Sequence, residues 1–287
     1  MRLSFLHPDL VAAFWRFYRR IDHAEIDLIA AGVAFYAFLA IFPAAAAVIS
    51  MWSFVSNPAV IRQELELIRP LVPVDFFNLI SAQVDQLLSL GSSHFGLTAF
   101  LSLMLALWSA RAGAAALIRG LNAIHQRPNR AGHRHQLRAI FLTFVLIGLV
   151  LAAMVMAVVM PLLATSLPEW MDWAGLTSTT NLGLALLFAV LAVGLAFRLG
   201  PNHGPSAPPL FSWGLLVAVI LWGLVTRGFM LYLANFNSYN RVYGSIGAVA
   251  VTMIWLYLTA YAVLLGAAVD AERQKLRRIR ERGVPTE

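Results

Sequence analysis

Residues 139–167 read AIFLTFVLIGLVLAAMVMAVVMPLLATSL, a run without a single charged side chain. A helix of roughly 20 apolar residues is long enough to cross the ~30 Å hydrocarbon core of a bilayer. Lipid offers no hydrogen-bond partner to the backbone, and the run lacks the alternating pattern of a barrel strand. It therefore predicts a transmembrane helix, and the fold depends on how many such runs the chain holds.

Five further runs of this kind lie before and after it along the chain. The six predicted spans are Leu28–Ile61, Gln86–Ala110, Ala139–Leu167, Trp173–Phe197, Leu199–Thr226 and Val242–Val269. We therefore predict an all-α fold, a polytopic membrane protein with six transmembrane helices plus interfacial amphipathic helices. Its expected parts are a cytoplasmic amphipathic N-terminal segment (1–27), a six-helix transmembrane domain (28–270) and a cytoplasmic charged tail (271–287).

Two shorter segments have the pattern of interfacial helices. Within residues 1–27 the apolar side chains share one helical face and the arginines at 16, 19 and 20 lie elsewhere, which suits a headgroup layer containing anionic lipid. The apolar face consists of Val11, Phe14, Trp15, Tyr18 and Ile21. Residues 76–88 have a similar pattern within the long connection 56–93. For this second helix we favour a cap on the bundle over a lid or a lipid contact.

Positive charge is concentrated on alternate connections between the runs. Sixteen of the 21 Lys and Arg residues fall within 2–20, within 119–138, at 198 and within 273–282. Cytoplasmic segments of membrane proteins carry such an excess. We therefore expect both termini and the second and fourth connections to be cytoplasmic. The heavy use of Arg and Ala is typical of a GC-rich bacterial genome, so we expect a bacterial protein.

The sequence offers little reactive chemistry. The absence of cysteine removes disulfides, thiol catalysis and Cys-ligated metal sites. His125, His133 and His135 form a histidine grouping with no acidic residue in its connection. We therefore predict no catalytic residue, no metal, no cofactor and no enzymatic activity. The net charge of +7 follows from the topology, so nucleic acid is not an expected partner.

Two arginines associated with apolar runs are the first candidates for substrate binding. Arg111 lies towards the cytoplasmic end of the second span and Arg227 towards the outer end of the fifth. An arginine inside the membrane costs at least ~2.5 kcal/mol unless its charge is satisfied. For both we favour snorkelling to the nearer interface. The alternative is a polar cavity in which they bind an anionic headgroup or phosphate.

Four polar residues complete the set of candidates. Asn122 lies in the second connection, and Asn202 lies beside His203 in a Pro/Gly-rich connector that favours a turn-forming role. Asn240 and Tyr243 belong to the polar and aromatic connection 235–245. Their amide and phenol groups would suit an outer portal, although aromatic residues at this depth are more often interface anchors.

Several motifs resemble those of the YihY/BrkB family of bacterial inner-membrane proteins. They are FYAFLAIFP at 35–43, WS at 108–109, LNAI at 121–124, FRLGPN at 197–202, YNRVYGS at 239–245, WLYLTA at 255–260 and LLGAAVDAE at 264–272. The resemblance covers about residues 25 to 275. The sequence departs from the family pattern at Phe197, where Tyr is usual, and at 268–270, where Ala-Val-Asp replaces a Glu-Leu-Asn type of ending.

The resemblance implies a location in the bacterial inner (plasma) membrane. It also implies six spans with cytoplasmic ends, in agreement with the charge pattern. Members of the family are linked to serum resistance and to envelope lipids, and a ribonuclease label circulates that this sequence does not support. Our leading prediction is the handling or transport of a lipid-like or anionic amphipathic envelope substrate, an anionic phospholipid or glycolipid. The first alternative is a membrane scaffold that recruits an envelope protein partner. The second is a small-solute or ion transporter.

Overall fold

The computed structural model describes residues 8–53, 66, 77–78, 81–82, 85, 92–129, 132–165, 173–202, 209–234 and 240–281. In this part of the chain the regular structure is entirely helical, which confirms the all-α prediction there. The main helices are α1 (Pro8–His23), α2 (Ile26–Ser53), α3 (Ser92–Ile124), α4 (Gly132–Thr165), α5 (Trp173–Leu199), α6 (Trp213–Ala234) and α7 (Asn240–Glu281).

Five of the described helices contain segments long and apolar enough to cross a membrane. The segments are Ile26–Ala46, Phe100–Ile124, Gly132–Ala153, Trp213–Tyr232 and Val249–Arg277. By length and composition the chain is therefore a polytopic membrane protein, as predicted. Helix α5 contributes a shorter apolar segment, Leu186–Leu199. The predicted fourth span, Trp173–Phe197, therefore stays a prediction, and with it the total of six.

The predicted end of the second span is wrong as a helix boundary. Helix α3 continues beyond Ala110 to Ile124, through a segment with alanines at 112, 114, 115, 116 and 123. Alanine is the strongest helix former, and a charged side chain such as that of Arg111 does not interrupt backbone hydrogen bonding. The charge at 111 therefore marks no end of the helix.

The predicted start of the fifth span is also wrong. Helix α5 ends at Leu199, and α6 begins only at Trp213. Pro201 and Pro209 lack the backbone N–H that a continuing helix requires, and both lie between the end of α5 and the start of α6. The new helix starts after Ser212, whose Oγ accepts a hydrogen bond from the Leu215 N–H at 3.1 Å, as an N-cap residue does.

The two predicted interfacial helices are described to different extents. Helix α1 lies within the segment for which an amphipathic helix was predicted, and its helical conformation is confirmed. Of the 76–88 segment, the described residues are Phe77, Asn78, Ser81, Ala82 and Asp85. All five are helical, and Phe77 is buried. The other residues of this segment lie outside the described part.

The chain forms two compact units. Unit 1 comprises Met1–Ile29, Leu117–Trp222 and Tyr261–Glu287, and unit 2 comprises Ala30–Ala116 and Gly223–Ala260. The predicted division at residues 27 and 270 follows topology rather than packing and stays a prediction.

The core of each unit is built differently. In unit 1 the fully buried side chains include large ones, among them Ile118, Leu121 and Leu264. Helices α6 and α7 meet there at Gly214 and Gly266. A methyl group at Gly266 would lie 2.6 Å from the Ala218 Cβ. In unit 2 alanines dominate the core, and α2 and α3 approach where a methyl group at Gly113 would lie 3.5 Å from the Tyr36 Cβ. Small residues at such crossings are typical of membrane helices.

Candidate functional site

Two of the predicted site residues, Asn122 and Asn202, lie side by side in unit 1. The side chain of Asn122 is fully buried, and its Oδ1 accepts a hydrogen bond from the Asn202 N–H at 2.7 Å. Its Nδ2 donates to the Asn129 Oδ1 at 2.9 Å. The Asn202 Nδ2 in turn donates to the Pro128 carbonyl at 3.3 Å. The amide of Asn122 is thus engaged by the chain itself and joins the connector after α3 to the connector after α5.

The end of α3 prepares this contact. The Arg127 N–H donates to the Asn122 carbonyl at 2.8 Å and the Gln126 N–H to the Ala123 carbonyl at 3.0 Å, the bonding pattern of a Schellman cap. Gln126 has a φ of 53°, the left-handed conformation that this cap requires and that glycine adopts most easily. The chain turns back at this point and brings Pro128 and Asn129 to the Asn122–Asn202 pair.

A buried carboxylate caps the first turn of α6. Asp270 on α7 is 7% exposed; its Oδ1 accepts the Gly214 N–H at 2.7 Å, and its Oδ2 accepts the Ser212 hydroxyl. A negative charge is favourable here because the first N–H groups of a helix have no intrahelical acceptor. Arg273, three residues further along α7, lies 4.6 Å above the ring of Trp213, the first residue of α6.

A second charged contact connects three helices of unit 1. The guanidinium of Arg20 on α1 donates to the Glu272 carboxylate of α7 at 2.9 Å and to the Ile124 carbonyl at the end of α3 at 3.2 Å. Both charged side chains are nearly buried, with 8% and 12% of their surface exposed. The sequence placed Arg20 against anionic lipid; its position in an ion pair inside the protein corrects that expectation.

Arg111 lies on α3 in unit 2 and is half-buried. It lies near the middle of the candidate span Phe100–Ile124, and its predicted location towards the cytoplasmic end of the membrane-crossing part stays a prediction. On the same helix the ring of Trp108 meets that of Tyr36 edge-on, with centroids 6.2 Å apart. Arg111 lies near the middle of its candidate span, whereas Arg227 lies near the end of the span Trp213–Tyr232. The charge of Arg111 is therefore the harder of the two to satisfy in a membrane.

An apolar groove of about 380 Å³ lies between α6 and α7 in unit 2. It is lined by Val225, Gly228, Phe229, Tyr232, Val251, Ile254, Trp255 and Leu258. The Trp255 Nε1 donates to the Thr226 Oγ1 at 3.4 Å, and the rings of Trp255 and Phe229 are 5.6 Å apart. These contacts connect the two walls, and Gly228 leaves open space within 4 Å of where a side chain would begin.

Arg227 does not line this groove. It is exposed, between the exposed side chains of Leu224 and Leu231. Residues two positions apart on a helix project in nearly opposite directions, so Arg227 points away from the wall formed by Val225 and Phe229. Its position, five residues before the end of the candidate span at Tyr232, agrees with snorkelling, and its role in anion binding stays a prediction.

The two remaining candidates, Asn240 and Tyr243, lie in the first turn of α7. Their side chains are outside the described part of the structure. Among the described residues, no group of three or more His, Cys, Asp or Glu side chains lies together as a metal site would require. The His125 Nδ1 is 2.8 Å from the Leu121 carbonyl oxygen, a contact within its own helix end.

Sequence comparison identifies the family. The family described as virulence factor BrkB matches residues 17–286. The chain belongs to the BrkB family. The resemblance to YihY/BrkB proteins that the motifs indicate is thereby confirmed. Ala268, where the motif departs from the resemblance described above, is completely buried.

Several curated relatives share this similarity. The ribonuclease-like protein YfkH of Bacillus subtilis is 27% identical over 87% of this chain and 90% of its own length. A UPF0761 membrane protein of Tolumonas auensis is 28% identical over 94% of this chain and 87% of its own. A UPF0761 membrane protein of Aeromonas salmonicida is 40% identical over 31% of this chain and 30% of its own. No solved structure matches the chain.

Sequence reasoning missed the groove, the Asp270 cap and the Arg20–Glu272 pair. A local signal existed for the cap, since Ser212 follows Pro209 and precedes an apolar run, the pattern of a helix start. Nothing in the sequence pairs Ser212 with Asp270, because 58 residues separate them. The groove depends on which faces of α6 and α7 meet, and two uniformly apolar helices give no sign of that.

Proposed function

We propose that this BrkB-family protein handles a lipid-like amphipathic substrate at the bacterial inner membrane, without catalysing a reaction. The observation that carries the proposal is the apolar groove between α6 and α7. Its volume of about 380 Å³ lies in the range of small-molecule sites, about 300–1,000 Å³. Both walls belong to segments apolar enough to lie in a bilayer, so the surrounding medium is hydrocarbon. An acyl chain is the ligand that fits such walls.

The topology we propose places this groove in the outer half of the membrane. Six spans with cytoplasmic termini follow from the charge pattern. Five of them are the candidate spans described above, and α5, a helix of 27 residues, would be the remaining one. At 1.5 Å per residue, the groove residues Val225 to Tyr232 lie about 18–28 Å along α6 from its cytoplasmic start at Trp213. A lipid of the outer leaflet would reach the groove with its tail, and its headgroup would lie near the outer end of α6.

Handling in this sense means binding and equilibration. The sequence has no nucleotide-binding motif such as a P-loop, so active movement of a substrate would require a partner. In proteoliposomes without an energy source, we expect the protein to equilibrate a fluorescent phospholipid between leaflets and not to concentrate it in one of them. Dithionite quenching of the outward-facing label measures that equilibration.

The proposal is tested by native mass spectrometry of the detergent-purified protein. Gly228→Leu fills the open space of the groove. Gly223→Leu makes the same change five residues earlier on α6, also where nothing lies within 4 Å, but at a position that does not line the groove. We expect co-purified phospholipid in the wild type and in Gly223→Leu, and a clear loss in Gly228→Leu. The same lipid occupancy in all three proteins contradicts the proposal.

The arginines are tested in the same experiment. Loss of an anionic lipid in Arg111→Ala or Arg227→Ala assigns the headgroup contact to that residue, whereas unchanged lipid makes both arginines snorkelling anchors. A protein that never retains lipid favours the alternative of a scaffold. Crosslinking from the 56–93 connection would then trap one dominant envelope protein.

A further inference from the structure

A cluster of aromatic and cationic side chains lies on the surface where α6 begins. Trp213, the first residue of α6, is 57% exposed, and Phe211, two residues earlier, is 71% exposed. The guanidinium of Arg273 on α7 lies 4.6 Å above the Trp213 ring, within the ~6 Å at which a cation is attracted to the face of an aromatic ring. Arg273 is itself exposed, and all three residues belong to unit 1. We call these three side chains the Trp213–Arg273 cluster.

The surface around this cluster is positive. The two carboxylates that precede Arg273 on α7 are engaged by other groups: Asp270 caps the first turn of α6, and Glu272 forms the ion pair with α1. The next two charged residues of α7, Lys275 and Arg277, are exposed cations. The cluster is therefore complementary in charge to an anion.

The contact with the ring prepares Arg273 for one class of anion. A guanidinium is planar and its N–H groups point outwards in that plane, so a ring on one face leaves them able to donate. Two parallel N–H groups of this fork match two oxygens of a phosphate. The Trp213 ring also restricts the conformations open to the arginine side chain, so less entropy is lost when an anion binds. Phosphate is therefore the anion that the cluster suits best.

The position of the cluster along α6 and α7 indicates where that phosphate comes from. The candidate span of α6 begins at Trp213 itself, and the charged residues of α7 begin at Asp270, three residues before Arg273. The cluster thus lies at the boundary between the apolar and the charged parts of both helices. Tryptophan is enriched at the level of the headgroups in membrane proteins, and the phosphates of the lipids lie at that level.

We propose that the Trp213–Arg273 cluster binds the phosphate of an anionic phospholipid in the leaflet that α6 enters at Trp213. The occupant is a phospholipid and not a soluble anion because the cation adjoins two exposed aromatic rings and the apolar segment of α6. Arg273 would contact the phosphate, and the rings of Phe211 and Trp213 would contact the glycerol and the upper acyl chain. The site shares no residue with the groove of the proposed function.

The inference is tested by native mass spectrometry of the delipidated full chain, titrated with phosphatidylglycerol and with phosphatidylcholine. Every protein carries Gly228→Leu, so that the groove is filled and the first bound lipid reports on the cluster. Arg273→Gln removes the charge and the planar fork. Lys275→Gln is the matched control, since it removes one exposed charge from the same helix about 200° around its axis. Trp213→Leu keeps every charge and removes the ring.

We expect Arg273→Gln to raise the Kd of phosphatidylglycerol about fivefold and Trp213→Leu to raise it about two- to threefold. Lys275→Gln should change that Kd by less than about twofold, and the Kd of phosphatidylcholine should stay the same in all the proteins.

Four results would overturn the inference. An unchanged Kd in Arg273→Gln would show that the arginine does not bind the lipid, and an equal rise in Lys275→Gln would show a diffuse attraction by net charge. Displacement of phosphatidylglycerol by inorganic phosphate at the same concentration would assign the site to a soluble anion. A dimer that Arg273→Gln dissociates would show that a second copy covers the cluster. Because the groove is filled in every protein, none of these results depends on whether the groove binds lipid.

Discussion

The buried carboxylate of Asp270 provides the sharpest test of how α6 is held in place. Asp270→Ala removes the acceptor of the Ser212 hydroxyl and of the Gly214 N–H, and Gly214 is itself buried. Asp270→Asn keeps the size of the side chain and one carbonyl oxygen. The amide can still accept one of the two hydrogen bonds. Its NH2 group can donate to the Ser212 oxygen if that hydroxyl turns around.

The expected magnitude follows from the contacts. A hydrogen bond to a charged group contributes about 1.5–3 kcal/mol, and a carboxylate at a helix N-terminus adds about 0.3–1 kcal/mol. The cost of burying the charge of Asp270 offsets part of this sum. We therefore expect Asp270→Ala to lower the free energy of unfolding by about 3–4 kcal/mol and Asp270→Asn by about 1–2 kcal/mol.

The measurement is SDS-induced unfolding of the purified protein in mixed micelles, followed by far-UV circular dichroism. Ser212→Ala alone should cost about 1–2 kcal/mol, since it removes both the N-cap and one contact of Asp270. The side chains of Ser212 and Asp270 share a hydrogen bond, so their effects should not add. The loss of unfolding free energy in the double variant should be smaller than the sum of the two single losses by at least about 1 kcal/mol. Strict additivity, or a loss below about 1 kcal/mol in Asp270→Ala, would refute the capping role.

Three further changes test other contacts by the same unfolding measurement. Gly266→Ala should lower the free energy of unfolding by about 2 kcal/mol or more, because the added methyl group has no room beside α6. Gly148→Ala on α4, where the methyl group meets open space, should be neutral or stabilising. Equal effects of the two changes would contradict the tight crossing of α6 and α7. Gln126→Gly should stabilise by up to about 1 kcal/mol by relieving the left-handed φ of 53°, and a loss of stability would argue against the Schellman cap. Arg20→Met should cost about 3–5 kcal/mol by breaking its pair with Glu272, and adding Glu272→Leu should recover part of that loss, unless the pair contributes nothing.

The sequence predicted the helical class and most of the membrane-crossing segments because a long apolar run has few alternatives in lipid. Helix α4 is the clearest case: the predicted run Ala139–Leu167 falls almost wholly inside Gly132–Thr165. Helix ends were less predictable. A hydropathy pattern ends at a charged residue, whereas a helix ends where the backbone can no longer form its hydrogen bonds, as at a proline. Arg111 therefore ended a predicted span without ending α3, and the four prolines of the fifth run were outweighed by the apolar residues that follow them.

The site residues show the same division. Asn122 and Asn202 stood out in the sequence as polar residues in short motifs, and they prove to be partners, 80 residues apart along the chain. Their contact could not be predicted, since polar residues at helix ends are equally suited to solvent, ligand or one another. The groove could not be predicted either, because the residues that line it have the same apolar composition as the rest of α6 and α7.

The distance along the chain between Arg20 and Glu272 has a consequence for biosynthesis. The two residues are 252 positions apart, so their ion pair can form only when almost the whole chain has left the ribosome. Until then the Arg20 guanidinium can bond only to the Ile124 carbonyl, and any product truncated before residue 272 never gains the ion pair. We therefore expect α1 to be held less firmly in a chain that ends before residue 272 than in the full chain, and to be more easily cleaved there by membrane proteases.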